Sequence, residues 1–306
     1  MVDVLLALTP VVGSALWFFR ADALRVMAIS AIVSALTEAG ICRLRQRRLS
    51  INDGSVLITA LLLALSLPPQ LPSLAVGLGA FVAVALGKMA FGGLGQNLFN
   101  PAMVGRAFLM ACFPAAMTHW IEPMSLRSKD IAVDAISAAT PLASAKFSHE
   151  FIALQPLVTG DVPGSLGETS ALAIFVGGLW LLLRRAGDWR LTVGMLLAVT
   201  LGAFVEQQAR GTAASLGVMK HLCAGGVMLG AFFIVTDPVT TPLSKIGRWC
   251  FGLFVGSLTV ILRTFSGYPE GVMFAVLLGN AITPLINRGT MPTPVGGKGP
   301  SHATVA

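Results

Sequence analysis

Two asparagines, Asn97 and Asn100, close a glycine-rich stretch and stand immediately before Pro101. Each carboxamide offers N–H donors and a carbonyl acceptor without a net charge, which suits the polar edge of a flat heterocycle. Their spacing of three residues would place both amides on one side of a helical turn. The same residues also predict a helix that begins at Pro101 with Asn100 as its N-cap, and this interpretation needs no ligand.

A second polar break runs from 236 to 244 and contains four hydroxyl side chains, one acid and two prolines. The prolines interrupt a regular backbone, because each lacks an N–H group and restricts the residue before it. Asp237 and Thr240 in this break are candidates to bind a polar cofactor or a cation. A capped turn between two helices explains the same break without a ligand.

A third candidate is the hydroxyl of Thr140, which lies in the longest polar interruption of the chain. Pro141 follows it and favours an extended backbone at Thr140. Ala138 and Ala139 are small, so we expect the hydroxyl to be exposed. No histidine or Gly-x-Ser-x-Gly elbow lies near it, so a hydrolase triad is unsupported and we assign no catalytic residue. From the residues alone, an inert loop hydroxyl is the favoured interpretation.

The elements that must position these residues are predominantly apolar. Of the 306 residues, 55% are hydrophobic and only 11% are charged, whereas soluble domains carry about a quarter charged residues. We therefore predict an all-α polytopic membrane protein that forms one membrane domain over residues 1–306 and contacts lipid. The basic residues form no stripe, which argues against nucleic-acid binding. The four cysteines form no CxxC pair, so neither a zinc site nor a disulfide framework is indicated.

About ten transmembrane helices are predicted from the apolar runs. The runs lie near 4–19, 24–42, 54–67, 73–91, 102–120, 168–183, 191–206, 216–235, 249–264 and 271–286. Several are shorter than the roughly 20 residues that a helix needs to cross a bilayer. Short, proline-interrupted segments indicate broken helices, whose free backbone groups must face a cavity or other protein.

The positive charges predict the orientation of the chain. With ten spans, eleven basic residues fall on one side, which the positive-inside rule makes cytoplasmic, together with both termini. These are Arg43, Arg45, Arg47, Arg48, Arg184, Arg185, Arg190, Lys245, Arg248, Arg288 and Lys298. The loop 121–167 then lies outside the cytoplasm, with five acids and three bases. Arg20, Arg25 and Arg210 are exceptions to the rule.

Several ionisable residues fall inside apolar runs, namely Glu38, Lys88, Arg106, Glu206, Lys220, His221 and Arg263. A buried ionisable group in a membrane is a functional candidate. Snorkelling of the charged head from a helix end is the simpler expectation for most of them. We expect His221 to be structural.

The breaks also form a weak internal echo. Leu65-Ser66-Leu67-Pro68 is matched by Val235-Thr236-Asp237-Pro238, and the segment ending in Asn100-Pro101 is matched by Asn280 to Pro284. One interpretation is a pair of five-helix inverted repeats, 1–120 and 168–290, joined by the extracytoplasmic loop 121–167. Chance similarity among proline-containing breaks is the alternative.

Four blocks in this order resemble one known family. They are Gly92-Gly93-Leu94-Gly95-Gln96-Asn97 through Asn100-Pro101-Ala102-Met103, Asp134 through Thr140-Pro141-Leu142, Thr236-Asp237-Pro238-Val239-Thr240 and Gly267-Tyr268-Pro269-Glu270-Gly271. Together they resemble the D subunit of Rnf electron-transport complexes, which is related to the B subunit of the sodium-pumping NADH:quinone reductase. The resemblance covers essentially the whole chain.

This resemblance implies flavin cofactors. In the family, FMN is joined through its phosphate to a threonine in an Asp-x-x-Ser/Thr-Gly-Ala-Thr motif. Thr140 matches the attachment residue, Asp134 and Ser137 stand at the expected offsets, and Ala138 replaces the glycine. The resemblance also implies a non-covalent riboflavin, for which Asn97, Asn100, Asp237 and Thr240 are the candidate residues.

The resemblance further implies a role and partners. The chain would be a multi-pass subunit of the inner membrane in a ferredoxin:NAD oxidoreductase that translocates Na+ or H+, and would not be catalytic alone. Rnf subunits A, B, C, E and G would be its partners and would bind ferredoxin and NAD, while a flavin transferase would modify Thr140. A secondary transporter or channel with an inverted-repeat fold and no redox cofactor is the competing hypothesis.

Overall fold

The computed structural model describes residues 1–46, 53–123, 139–148, 152–211 and 217–292. Within these ranges the regular structure is helical and contains no β-strand. The predicted fold class, an all-α polytopic membrane protein, is therefore confirmed. The described helices pack around a continuous apolar core that includes Leu8, Leu63, Leu109, Val199 and Phe251.

The helices are numbered here in chain order. They are α1 (Val2–Leu44), α2 (Ser55–Leu65), α3 (Ser73–Met89), α4 (Pro101–Cys112), α5 (Pro114–Met117), α6 (Pro141–Ala143), α7 (Leu154–Thr159), α8 (Ala171–Leu183), α9 (Trp189–Arg210), α10 (Val218–Cys223), α11 (Val227–Leu229), α12 (Lys245–Phe265) and α13 (Val272–Thr290). The last turn of α3 is π-helical over Ala85–Met89, and π-helical turns extend α6 over Ser144–Ser148 and α11 over Gly230–Ile234.

Helix α1 is a hairpin that accounts for the first two predicted runs. Its 43 residues would span about 65 Å if straight, twice the thickness of a bilayer core. Arg20 breaks it with non-helical angles, φ 46° and ψ −115°. A Cβ atom on Gly54 would lie 3.8 Å from Met1 Cβ, and the guanidinium of Arg45 donates to the Met89 carbonyl at 2.6 Å. Both ends of α1 therefore lie at the same end of the bundle.

Four of the apolar helices are too short to cross a membrane alone. They are α2, α3, α4 and α8, with 10–17 residues each, whereas α1, α9, α12 and α13 are long and apolar enough to cross. The predicted run 216–235 is likewise divided, because the chain breaks between α10 and α11. The short lengths agree with the expectation of broken helices. The assignment of the chain to two inverted repeats stays a prediction.

The break after α2 satisfies its backbone through the connection that precedes α8. The N–H of Leu166 donates to the Leu67 carbonyl at 3.1 Å, and the N–H of Gly167 donates to the Leu65 carbonyl at 2.7 Å. Backbone groups that lose their helical partners in a membrane must be paired within the protein. These two hydrogen bonds therefore join the first and second halves of the chain.

The basic connections meet at one end of the bundle, which we call the basic end. Arg184 pairs with Asp3, while Asp188 caps α9 and pairs with both Arg190 and Arg248. Burial alone would raise the pKa of Asp188, but the Arg190 backbone N–H and the Arg248 guanidinium together hold it below its usual value. Asp188 thus joins the start of α9 to the start of α12. Arg47, Arg48 and Lys298 lie outside the described residues.

Glycines allow α9 and α12 to approach closely. A Cβ atom at Gly256 of α12 would lie 2.5 Å from the Met195 carbonyl oxygen and 2.7 Å from Ala198 Cβ, both on α9. Small residues at helix interfaces are a principal source of packing in membranes, where the hydrophobic effect does not drive helices together. The nearest neighbour is backbone, so an added methyl group cannot be accommodated by a side-chain rotation and would push the two helices apart.

We predict that Gly256→Ala destabilises the protein by about 1–3 kcal/mol, the usual cost of overpacking. Gly40→Ala is the control, because a Cβ atom there meets nothing within 4 Å and alanine is the better helix former. Thermal unfolding in detergent, followed by tryptophan fluorescence, measures both. Equal midpoints for the two variants would contradict the proposed close contact.

Candidate functional site

Asn100 begins α4 as its N-cap, which confirms the local prediction. Its Oδ1 accepts hydrogen bonds from the N–H groups of Ala102 at 3.1 Å and Met103 at 3.3 Å, and Pro101 occupies the first turn. Its own N–H donates to Asn280 Oδ1 at 3.0 Å, and its Nδ2 donates to Asp237 Oδ2 at 3.4 Å. One capping residue thus connects α4 to α13 and to the break after α11.

The break from 236 to 244 is organised by Asp237. Its carboxylate accepts from the Val239 N–H at 3.1 Å and from Thr240 Oγ1 at 3.3 Å. The Thr240 carbonyl in turn accepts from Asn280 Nδ2 at 3.2 Å and from Thr283 Oγ1 at 3.1 Å. The two polar breaks that the sequence singled out therefore meet, and α13 supplies the side chains that hold them together.

A cavity of about 440 Å³ opens beside this network, and we call it the asparagine cavity. Its polar lining includes Asn97, Asn100, Thr236 and Asp237, and its apolar lining includes Leu62, Leu94, Leu181 and Phe233. The volume lies within the range of small-molecule pockets, about 300–1,000 Å³. The mixture of apolar walls and a few converging polar groups is typical of a site for a flat, partly polar ligand.

Asn97 and Asn100 reach the cavity in a different way from the one expected. No helical turn joins them, because α4 starts at Pro101 and the preceding glycines at 92, 93 and 95 adopt positive φ angles. Asn97 is 8% exposed, and its Oδ1 has no hydrogen-bond partner among the described residues. A buried, unpaired amide oxygen is costly unless a ligand or water completes it. Thr240 supports Asp237 and does not line the cavity.

Lys88 and Glu38 form a buried ion pair beside the asparagine cavity. The Lys88 ammonium donates to Glu38 Oε2 and to Ser55 Oγ, both at 2.7 Å, and Lys88 and Ser55 line the cavity. The exposed fractions are 2% for Lys88 and 0% for Glu38, so snorkelling is wrong for both. Lys88 lies on the π-helical turn of α3, and such turns are frequent at functional sites.

Thr140 lies at the opposite end of the bundle from the cavity. Lys146, which follows α6, donates to the Arg263 carbonyl near the end of α12, whereas the cavity end adjoins the start of α12. The 21 residues of α12 span about 30 Å. The cavity reaches into the bundle from its own end, because Asn100 precedes by only six residues, about 9 Å of helix, the Arg106 that contacts Glu168 and Glu270 of the Thr140 cleft.

The structure corrects the expected exposure of Thr140. Its backbone is extended, as predicted, with φ −65° and ψ 155°, but the residue is only 4% exposed. The hydroxyl accepts the Ala143 N–H at 3.2 Å and caps the turn that Pro141 begins, and the next residue, Leu142, packs against Leu157. This tertiary packing covers the hydroxyl. Asp134, Ser137 and Ala138 lie outside the described residues.

A charged group shares the small cleft that Thr140 lines, and we call Arg106, Glu168 and Glu270 the carboxylate cluster. Arg106 Nη1 contacts Glu168 Oε1 at 3.0 Å, and Arg106 Nη2 contacts Glu270 Oε2 at 2.6 Å. The sequence singled out Arg106 alone. Glu168 stands at the edge of an apolar run and Glu270 within the Gly267 to Gly271 block, which was the available signal for each.

The two acids of the cluster occupy the connections that precede α8 and α13, and their pKa values move in opposite directions. Burial, followed by the neighbouring Glu270, raises the pKa of Glu168 to about 8 despite the attraction of Arg106. Burial is the largest effect on Glu270 and acts to raise its pKa, but Arg106, Glu168 and Arg263 together hold that pKa below its usual value. The environments therefore favour a neutral Glu168 beside an ionised Glu270.

Arg263 completes the polar structure at this end. Its Nη1 donates to the His221 carbonyl at 2.7 Å and its Nη2 to the Ala224 carbonyl at 2.8 Å, where α10 ends. His221 Nε2 lies 3.1 Å from Glu206 Oε2. Arg106, His221 and Arg263 are 6%, 5% and 4% exposed, so snorkelling is wrong for these three as well. The expectation that His221 is structural stays a prediction.

The fold and these clusters define the class, a polytopic helical membrane protein with polar sites inside an apolar bundle. The chain belongs to the NQR2, RnfD, RnfE family, whose model matches residues 1–296. It is similar to the D subunit of the proton-translocating ferredoxin:NAD(+) oxidoreductase complex of Clostridium ljungdahlii, with 38% identity over 97% of this chain and 91% of the relative.

Two further relatives share one description, the D subunit of an ion-translocating oxidoreductase complex. The protein from Actinobacillus succinogenes is 36% identical over 97% of this chain and 93% of its own. The protein from Stutzerimonas stutzeri is 38% identical over 97% of this chain and 91% of its own. The resemblance to the D subunit of Rnf complexes, inferred from the four sequence blocks, is thereby confirmed.

We predict that Lys88→Met lowers the free energy of unfolding by about 3–5 kcal/mol, because it leaves the Glu38 carboxylate buried without its cation. The double change Lys88→Met with Glu38→Leu removes both charges and recovers most of that loss. Thermal unfolding in detergent measures both variants.

The exposed pair between Asp3 and Arg184 supplies the control for this prediction. Arg184→Met there changes stability by less than about 1 kcal/mol, as expected for a solvated ion pair. A double variant that is less stable than Lys88→Met alone would contradict the assignment of Glu38 as the acid that Lys88 neutralises.

Proposed function

We propose that this chain is the flavin-carrying membrane subunit of an Rnf-type complex that passes electrons between ferredoxin and NAD, coupled to Na+ or H+ translocation. The main support is the asparagine cavity, whose apolar walls and few polar groups are complementary to a flavin ring. The relatives of this chain are named as oxidoreductase subunits, in which such a cofactor would have a use. Subunits A, B, C, E and G would be the partners. Ferredoxin and NAD would bind to them, because this sequence contains no dinucleotide fingerprint or iron–sulfur cysteine motif.

The asparagine cavity fits a non-covalent riboflavin. The unpaired Oδ1 of Asn97 would accept a hydrogen bond from a donor on the ligand. Asn100 and Asp237 would present polar groups to the rest of the ring edge. Asn280 and Thr240 would act from behind by fixing Asn100 and Asp237. The bound flavin supplies the redox chemistry, and the residues around it bind, orient and shield it.

Thr140 fits the role of a covalent attachment residue for FMN in its chemistry, since a phosphoester needs only a hydroxyl. Asp134 and Ser137 would complete the motif for the flavin transferase. The Thr140 hydroxyl is covered by its own turn, and the cleft beside it is much smaller than the asparagine cavity. The transferase would therefore act before this segment packs or while it is open, and the flavin ring would lie outside the cleft.

The proposed topology follows from charge. The basic end would face the cytoplasm of a cell with an inner membrane, with both termini on that side, and the Thr140 segment would face outward. Clustering of Arg45, Arg184, Arg190 and Arg248 at one end supports this orientation through the positive-inside rule. Flavins at the two ends would then give electrons start and end points on opposite sides of the bundle.

A secondary transporter or channel without a redox cofactor is the second candidate function. It is favoured by the four short apolar helices, because broken helices frequently surround a substrate site in transporters. The two candidate functions predict different colours and different covalent modification for the purified protein. A transporter would purify without flavin, and Thr140 would be an ordinary capping residue.

We predict that the denatured wild-type chain, produced in a host with the transferase, gives a fluorescent flavin band on a gel, and that Thr140→Val abolishes the band. Thr159→Val is the control, because Thr159 is an exposed hydroxyl residue of α7 that bonds only within its own helix in the described structure. A dark wild-type band would refute covalent FMN, and fluorescence that persists in Thr140→Val would move the attachment elsewhere.

We predict that Asn97→Leu lowers the acid-extractable flavin per chain at least tenfold and leaves the fluorescent gel band unchanged. The loss follows from replacing a ligand-facing amide with an apolar group, a change worth about 1.4 kcal/mol or more. Chromatography of the acid extract measures it. Gln70→Leu, an exposed amide outside the cavity, is the control. Equal extractable flavin in both variants would exclude Asn97 from the site.

A further inference from the structure

The carboxylate cluster is a buried, charged site that takes no part in the flavin binding proposed above. Arg106 and Glu168 are 6% and 5% exposed, so burial removes both from bulk water. Burial of two acids on one arginine is expensive unless every charge is compensated. A group of this kind is retained in a membrane protein where it performs a function.

The close approach of the two acids favours a proton on one of them. Glu168 and Glu270 contact the two terminal nitrogens of the same guanidinium, at 3.0 Å and 2.6 Å, so their carboxyl groups lie close together. Two ionised carboxylates at such close range repel each other and both are acceptors, whereas a proton on one removes the repulsion and lets it donate to the other. Among the described residues, no N–H or O–H donor satisfies Glu168 Oε2, which agrees with a proton on Glu168.

The backbone around the pair is fitted to it. A Cβ atom at Gly226 would lie 2.7 Å from Glu168 Oε1, and one at Gly225 would lie 3.1 Å from Glu270 Oε1. Gly225 has φ +64°, a conformation that side chains with a Cβ atom avoid. The break between α10 and α11 thus allows both carboxyl groups to approach the main chain closely.

The charged and titratable groups that face the pair come from several elements. They are Arg106 of α4, Glu206 of α9, His221 and Cys223 of α10, Arg263 of α12 and Lys146 after α6. Arg106 and Arg263 supply positive charge, and His221 is paired with Glu206. With both acids ionised, the two arginines and the two acids balance. A proton on the pair therefore adds one positive charge beside Thr140.

We propose that Glu168 and Glu270 share a single proton and form a proton-binding site at the Thr140 end of the bundle, with Arg106 as the residue that positions them. Resting on the proposed function, we further assign this site to charge compensation of the flavin carried by Thr140. Above about pH 8, where both acids are ionised beside the oxidised flavin, addition of an electron increases the proton affinity of the pair, and a proton from the adjoining aqueous side forms an O–H bond on Glu168. When the electron leaves, that bond breaks and the proton returns.

Infrared spectroscopy of the purified chain tests the shared proton without any reference to flavin. Wild-type protein is expected to show the carbonyl stretch of a buried carboxylic acid at neutral pH. Because the pKa of Glu168 is raised, the acid is neutral below that value, and the band is lost as pH rises through about 8. Glu168→Gln removes the band.

Glu270→Gln separates a shared proton from an isolated acid. Without the charge of Glu270, which helps to raise the pKa of Glu168, only burial opposes the attraction of Arg106, so the band is lost at a lower pH than in the wild type. Glu122→Gln, a change of the same type after α5, retains the wild-type band. The proposal is overturned if the band survives in Glu168→Gln or keeps its wild-type midpoint in Glu270→Gln.

The midpoint potential of the covalent flavin tests the linkage. As the pair ionises, a new negative charge beside Thr140 disfavours the reduced flavin, so the potential of the wild type falls through the same pH range. Glu168→Gln removes this inflection and Glu122→Gln keeps it. An unchanged inflection in Glu168→Gln refutes the linkage. Absence of covalent flavin refutes the covalent attachment on which this linkage rests, while the infrared result still decides whether the proton is shared.

Discussion

The architecture depends on the pairing of backbone and side-chain polar groups inside a bundle that lipid surrounds. Every broken helix leaves N–H or C=O groups without helical partners, and hydrocarbon offers them nothing. Contacts between residues distant in the chain pair these groups. The carbonyls at the break after α2 accept hydrogen bonds from the connection before α8, and Arg263 donates to carbonyls where α10 ends. The break after α2 is therefore paired only when the second half of the chain is in place.

Two further contacts join α4, in the first half of the chain, to α13, in the second half. Asn280 on α13 binds the backbone immediately before α4, and Arg106 on α4 binds Glu270 immediately before α13. The first contact uses neutral amides and lies beside a cavity, whereas the second uses full charges in a closely packed cleft. A roomy cavity that presents neutral amides suits a flat heterocycle, and a closed cleft with paired charges suits a proton. The chemical difference between the ends follows from which residues make an otherwise similar contact.

The sequence predicted what local rules determine. Capping by Asn100, the extended backbone at Thr140 and the breaks near 68 and 237 depend on neighbouring residues, and the structure has all of them. Other features depend on residues that are distant in the chain. Burial of Thr140 results from packing of Leu142 against Leu157, and Glu270 meets Arg106 across 164 positions. No periodicity or motif encodes such a contact in a single sequence, so the carboxylate cluster was not foreseen.

Most ionisable residues in the apolar runs were also mispredicted because their partners are distant in the chain, and the reason is energetic. Snorkelling is the cheaper solution for a lone charge near a helix end, because the head group keeps its water. It loses that advantage when a partner of opposite charge is fixed nearby, as Glu38 is for Lys88 and as Glu168 and Glu270 are for Arg106. The partner comes from another helix or connection each time, so burial of the charge and assembly of the bundle occur together. Charges interact strongly in such a buried, low-dielectric cluster. The addition of one electron or one proton nearby therefore changes the electrostatic energy of every charged group in it.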